Sequence, residues 1–217
     1  MRWTSTVLVL VGGIVMSYPF WSGAYASVQQ GRLNSQLVTE TRAFSGAVKN
    51  AIDQTLPPQE KLQRLAEAFG RRLEVGHPLG RLLVPRIGLN QVVLEGERRA
   101  ATGIAGNDHG LLRSGPVHYG LTPLPGEGEP FAVAGHRTTY GAPFFRLNEL
   151  RRGDRIDVVT PYALLRYRVK KLTVVQPSDV SVLRDRGYAL VLTTCNPPYS
   201  ATTRLIVWAD LDSFRFR

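Results

Sequence analysis

The sequence predicts a mainly β domain, a closed or nearly closed barrel, set behind an apolar N-terminal segment and a helical stalk. Three observations carry this prediction. From residue 79 onward, short apolar and β-branched runs recur between Gly, Pro and Asp turn signals. Residues 27–78 read with helical rather than alternating periodicity. Ahead of them, Trp3 to Trp21 contains no charged side chain.

The N-terminal segment comes first. Val7-Leu8-Val9-Leu10-Val11 forms its centre, and its length is near the ~20 residues that span a bilayer as a helix. Trp3 at one end and Tyr18, Phe20 and Trp21 at the other suit the two membrane interfaces. Ala24-Tyr25-Ala26 also resembles a small-x-small cleavage site, so residues 1–26 read either as a signal-anchor or as a signal peptide. Both readings place the remainder of the chain outside the cytoplasm.

Residues 27–78 are expected to form the stalk. Leu33, Leu37, Ala43 and Ala47 with Val48 make an irregular apolar stripe, and Pro57-Pro58 breaks it. Lys61 to Phe69 reads as a second helix with Leu62, Leu65, Ala66 and Phe69 on one face. Gly76-His77-Pro78 ends it. A solvated spacer is the expectation for this stretch, a helix docked on the domain or on lipid the alternative.

Residues 79–217 are the expected barrel. Strands are read at Gly80 to Pro85, Val92 to Leu94, Phe131 to Ala134, Asp154 to Val159, Tyr167 to Val175, Leu190 to Thr193 and Leu205 to Ala209. Short helices are expected near Arg98 to Gly103, around Phe144 to Leu150 and at Ser178 to Leu183.

The chemistry centres on the only cysteine, Cys195. Ala189 to Cys195 reads as a buried strand that delivers a thiol to its end. Asn196-Pro197-Pro198-Tyr199-Ser200 cannot continue a central strand, since two prolines remove two donors. Thr203 to Ala209 then returns as a strand carrying Arg204, so a thiol and a guanidinium come to the same end of neighbouring strands. A structural buried cysteine is the plain alternative. A second strand, Pro130 to Gly135, ends at His136, the kind of imidazole a thiol needs to react as thiolate. Arg137, next to it, is expected to point to solvent.

Composition is that of an ordinary globular protein, with 43% hydrophobic and 20% charged residues in 217. The formal charge is +10, from 27 Lys and Arg against 17 Asp and Glu, and it is spread along the chain. No basic stripe interleaved with aromatics and no zinc-ligand spacing is present, so nucleic acid is not an expected partner. An anionic envelope or membrane surface accounts for the charge better. One cysteine excludes an internal disulfide.

Ala134-Gly135-His136-Arg137-Thr138-Thr139-Tyr140-Gly141, followed by Leu192-Thr193-Thr194-Cys195 and then Arg204, resembles the sortases, cysteine transpeptidases of Gram-positive surfaces. Gly115-Pro116-Val117-His118-Tyr119, Leu124-Pro125-Gly126 and Leu150-Arg151-Arg152-Gly153-Asp154 fit the same pattern, and the likeness covers about residues 79–212. The segments after His136 and Cys195 look most like class E, the actinobacterial housekeeping branch. Two positions depart from pattern: Val191 replaces the first Thr of Thr-Leu-x-Thr-Cys, and Asn196 stands where class E often has His.

The resemblance implies an eight-stranded sortase-like β-barrel and a single-pass anchored enzyme with its catalytic domain outside the cell. It implies Cys195 as the nucleophile on a Thr–Gly bond of a C-terminal sorting signal, His136 as acid and base, and Arg204 as substrate and oxyanion partner. Thr194, His118 and Tyr119 are the expected substrate-binding residues. The implied partners are surface proteins with a sorting signal, a cell-wall precursor amine or a pilin lysine, and the membrane. No metal site or cofactor is expected; Glu127 and Glu129 are too few for the ~6–8 oxygens calcium takes, though calcium activation stays open. The alternatives are a pilin-polymerising sortase, disfavoured by the missing lid motif and missing second span, and a non-enzymatic wall-binding module.

Overall fold

The computed structural model describes residues 2–48, 55–98, 109–128, 130–185, 187 and 189–217. Its helices are α1 (Arg2–Val48), α2 (Pro58–Gly70) and α3 (His109–Leu112). Its strands are β1 (Pro78–Val84), β2 (Leu89–Leu94), β3 (Val117–His118), β4 (Phe131–Ala134), β5 (Arg155–Val159), β6 (Ala163–Val175), β7 (Leu190–Asn196) and β8 (Thr203–Phe216). Short 3-10 turns occupy Pro85–Ile87, Leu147–Glu149 and Val180–Leu183.

The eight strands close into a barrel in the order β1-β2-β3-β4-β7-β8-β6-β5, with β5 returning to β1. The β2/β3 and β4/β7 pairs are parallel, and the others antiparallel. Closure removes the sheet edges that short strands would otherwise expose.

Side chains alternate across the wall, as strand geometry requires. Phe131, Val133, Leu190, Leu192, Leu205 and Val207 join the larger core with Leu82 and Leu165. Ala132, Ala134, Val191, Ile206 and Trp208 lie on the opposite side in a second apolar cluster. That second cluster is covered by Leu33 and Leu37 of α1, Leu112 of α3 and Val182.

The expected spacer is therefore corrected: α1 is docked. Ala26, Leu33, Leu37 and Phe44 are buried, each worth up to ~1.5–3 kcal/mol for a large apolar side chain. Gln30 clamps the backbone of β2. Its Oε1 accepts from Val92 N at 2.7 Å, and its Nε2 donates to Val92 O at 3.1 Å and to Ser114 O at 2.8 Å. One side-chain amide thus supplies both hydrogen bonds that a neighbouring strand would have made. At its far end, Phe44 packs edge-on against Phe69 of α2, 5.3 Å between centroids. The buried face of α2 is Leu62, Leu65, Ala66 and Phe69, as its periodicity predicted.

The N-terminal end of α1 is different. Val7, Leu8, Leu10, Val11, Ile14, Val15, Met16, Phe20 and Trp21 are all exposed. No helix among the described residues is long and apolar enough to cross a membrane. The helix also runs without interruption through residues 26 and 27, where the sequence suggested a boundary.

Other differences are local. β3 has two residues and carried no strand signal of its own. β6 and β8 are longer than expected. Their outer halves are polar, with Lys170 Nζ 2.7 Å from Asp210 Oδ2 and Arg168 Nε 3.4 Å from Asp212 Oδ2. The expected helix near residues 98–103 falls almost wholly outside the described residues, as does Glu129.

Candidate active site

The parallel β4/β7 pair sets the site. Its register runs from Phe131↔Leu190 to Ala134↔Thr193, and Gly135 N donates to Thr193 O at 3.1 Å. Carried two residues further, the same register sets His136 level with Cys195. On the other side of β7, Cys195 and Arg204 are direct partners across the antiparallel β7/β8 pair. The imidazole, thiol and guanidinium expected from sequence thus come from three adjacent strand ends at one mouth of the barrel. Alternation puts Cys195 on the same side of the wall as Val191, and Arg204 on the same side as Ile206 and Trp208. That is the side on which α1 packs.

Cys195 is a free thiol of intermediate exposure. Arg204 is half-buried, and its Nη1 donates to Ala201 O at 2.9 Å and Thr203 O at 3.0 Å. These bonds hold the guanidinium over the turn that follows Cys195.

The loop after β4 is fixed from several directions. Phe144 N donates to His136 O at 3.0 Å, folding residues 136–144 back on themselves. Thr194 Oγ1 donates to Gly135 O at 2.8 Å. Gly135 is required here by space: a Cβ would lie 2.6 Å from the Phe144 ring. Tyr140 lies against His136, ring centroids 5.3 Å apart and planes 32° apart. Tyr140 holds a left-handed backbone at φ 52°, as Ala142 does at φ 44°. Such non-glycine conformations persist where surroundings over-determine them, often at functional loops.

The surroundings of Tyr140 include α1. Tyr18 Oη is 3.0 Å from Tyr140 Oη, and the Tyr25 ring meets it edge-on at 6.4 Å. Arg113 lies over the same ring, 5.9 Å from its centroid. An N-terminal helix therefore reaches the loop that carries His136. The sequence offered no sign of this, because Tyr18 read as an interfacial aromatic and Tyr25 as part of a small-x-small cleavage site.

The structure places Arg137 inside, which corrects the expectation of a solvent-facing side chain. It is 3% exposed. Its Nη1 donates to Cys195 O at 3.2 Å and Asn196 Oδ1 at 3.0 Å, and its Nη2 to Asn148 Oδ1 at 2.9 Å. Burial lowers its pKa from the ordinary arginine value, and the charge of Cys195 opposes that shift.

Thr194, Tyr119 and His118 sit in the interior, each with its polar atom engaged within the protein. The Thr194 hydroxyl is spent on Gly135 O, as above. Tyr119 Oη pairs with Thr193 Oγ1 at 2.7 Å. His118 Nδ1 is 2.7 Å from Glu95 Oε2, and its Nε2 is 2.9 Å from Thr122 Oγ1. Thr122 donates its one hydroxyl proton to Tyr119 O at 2.9 Å and accepts Ala132 N–H at 3.2 Å. Both ring nitrogens of His118 are therefore engaged by buried partners, Glu95 on one side and Thr122 on the other.

Among the described residues no three His, Cys, Asp or Glu side chains cluster to hold a metal ion. Glu127 Oε2 instead accepts from Leu124 N at 3.0 Å, closing its own turn.

A family model described as the sortase domain matches residues 82–212, well over half of the chain. Sortase SrtE1 of Streptomyces coelicolor is 38% identical over 91 residues, a stretch that is 37% of this chain and 26% of that relative. The chain thus spans about a quarter of that relative's length. The solved sortase E of Streptomyces avermitilis superposes with a TM-score of 0.55 at 35% identity, covering 66% of this chain and 93% of that one. Sortase E1 of S. coelicolor, solved with a tripeptide in its active site, gives 0.53 at 31% identity, covering 65% and 92%.

Proposed function

The chain belongs to the sortase family of cysteine transpeptidases, and from that premise we propose that it cleaves a C-terminal sorting signal between Thr and Gly and transfers the new carboxyl to an amine. The observation that carries this reading is the convergence of His136, Cys195 and Arg204 on three adjacent strand ends. Cys195 attacks the scissile carbonyl as thiolate, forming a thioester as the Thr–Gly bond breaks. His136 gives a proton to the leaving amine and takes one from the incoming amine. Arg204 offers a planar fork of N–H donors to the peptide and to the oxyanion. A peptide ligand is supported by the tripeptide in the active site of the S. coelicolor relative.

The acyl acceptor on this reading is a cell-wall precursor amine, and the donor is a surface protein with an LPXTG- or LAXTG-type signal. The exposed apolar run from Val7 to Trp21 is the part of the chain that meets the membrane, with the barrel outside the cell.

The test uses the full chain, because α1 touches the catalytic loop. Wild type and Cys195→Ala are incubated with Leu-Pro-x-Thr-Gly and Leu-Ala-x-Thr-Gly peptides plus a glycine-type amine, and read by mass spectrometry. A Cys195-dependent acyl-enzyme or ligated product is expected. Absence of any adduct or cleavage with either peptide, from folded protein, overturns the reading in favour of a wall-binding module.

A further inference from the structure

Arg137 is a buried charge that no Asp or Glu pairs with among the described residues. Its three partners are a backbone carbonyl and two side-chain amide oxygens, all neutral. Its Nε is buried with no hydrogen-bond partner. Burying a guanidinium among neutral groups is costly, and leaving one N–H unpaired adds to the cost. A core that tolerates this needs a reason, and a hydrophobic or amide side chain would hold the same loop at less expense.

The location supplies the reason. The three oxygens belong to two different segments: the last two residues of β7 (Cys195 and Asn196) and the 3-10 turn at Leu147–Glu149 (Asn148). Arg137 itself extends the loop that carries His136. One planar side chain therefore joins the strand end bearing the thiol to the loop bearing the imidazole. The charge of a Cys195 thiolate opposes its desolvation. The guanidinium stays buried, against the backbone of the very residue that ionises.

We propose that Arg137 is a positioning residue for Cys195: it fixes the Cys195 carbonyl against the His136 loop and places a buried positive charge beside the residue that carries the thiol. This inference rests on the reading of Cys195 as the nucleophile. Among the described residues, the other charged or titratable groups at this end of the barrel are His136 from the β4 loop, Arg204 from β8, and Tyr140 against His136 with Tyr18, Tyr25 and Arg113 around it. On the 3-10 turn, Glu149 is exposed and already paired with Arg146 at 2.7 Å, while Asn148 is neutral. Arg204 and Arg137 thus have different tasks. Arg204 lies on the α1 side of the wall, and Arg137 is buried against the Cys195 carbonyl.

The test reads the thiol directly and needs no peptide. Cys195 is the only cysteine, so the rate of iodoacetamide alkylation against pH reports its ionisation in the full chain. Arg137→Met removes the charge; Arg137→Gln removes it while keeping an amide that donates to the Cys195 carbonyl; Arg137→Lys keeps it. The expected result is a midpoint raised in Met and Gln by roughly one to three pH units, as an opposite charge within ~4–6 Å would give. Arg137→Lys should return the midpoint to within about half a unit of wild type, since the charge is restored. Asn148→Ala, which removes one neutral partner and no charge, should leave the midpoint where it was. A wild-type midpoint in either neutral variant that melts cooperatively overturns the proposal, as does a midpoint in Arg137→Lys as high as in Gln. Failure of every peptide to react, with these midpoints as expected, would overturn the transpeptidase reading and leave the role of Arg137 standing.

Discussion

Cys195 and Arg204 face each other directly across β7 and β8, one residue pair before the pairing ends at Asn196↔Thr203. Their relation is fixed by backbone register, so it does not depend on long side chains finding one another. Arg204→Ala should lower kcat/KM by about 10²–10³-fold, the usual loss for an oxyanion donor, with little change in thermal midpoint. Arg204→Lys should recover little of it, because an ammonium cannot present the planar fork. Steady-state kinetics with a fluorogenic sorting peptide would check both.

Gly135→Ala should disable the site through packing. The added methyl would meet the Phe144 ring at 2.6 Å, and Phe144 N holds His136 O. Overpacking of this kind costs about 1–3 kcal/mol. Both a lower melting temperature and a fall in kcat are expected, while reactivity of Cys195 toward iodoacetamide should persist, since β7 is untouched.

Gln30 contributes to the barrel as a surrogate strand. Gln30→Ala leaves N and O of the buried Val92, and Ser114 O, without this partner and should cost about 1–3 kcal/mol per group left dry. Gln30→Glu should also destabilise, because a carboxylate cannot donate to either carbonyl. Urea titration of the full chain reads both, and an unchanged midpoint in Gln30→Ala would show that α1 is not fastened there.

Glu95→Ala should be among the most destabilising single changes. It leaves a buried imidazole without the carboxylate it pairs with, and breaking buried pairs typically costs ~3–5 kcal/mol. Chemical denaturation of the variant against wild type is the measurement.

Tyr162 gives a pH dependence of definite sign. Burial pushes its phenol well above the ordinary value of 10.0, and its hydroxyl donates to Pro125 O at 2.7 Å. The folded state therefore keeps this proton where the unfolded chain gives it up. Its stability contribution is whole below about pH 10 and declines as pH rises beyond that. Tyr162→Phe should flatten this alkaline decline relative to wild type, read by thermal melts between about pH 9 and 11.

The sequence made the strands of the inner barrel and the His136, Cys195 and Arg204 positions readable, because each rests on local chemistry: an apolar run, a strand end, a proline that stops pairing. What stayed hidden depends on neighbours. β3 is two residues held by β2 and β4, too short for any period to show. The fate of Arg137 turned on which way the loop faces once the barrel closes. Docking of α1 did leave a trace. The buried positions Ala26, Leu33, Leu37 and Phe44 are seven, four and seven residues apart, a seam that the alanines at 43 and 47 obscured.

The contact between Tyr18 and Tyr140 has a consequence for how the enzyme meets its substrates. Val7 lies eleven residues before Tyr18, about 16 Å along a helix at 1.5 Å per residue. The apolar end of α1 and the His136 loop are thus separated by about three helical turns, with no slack chain between them. If the apolar end of α1 is seated in a membrane, as proposed above, the cleft is held like a moored quay, at one height, and both the sorting signal and the acceptor must be delivered to that height to react.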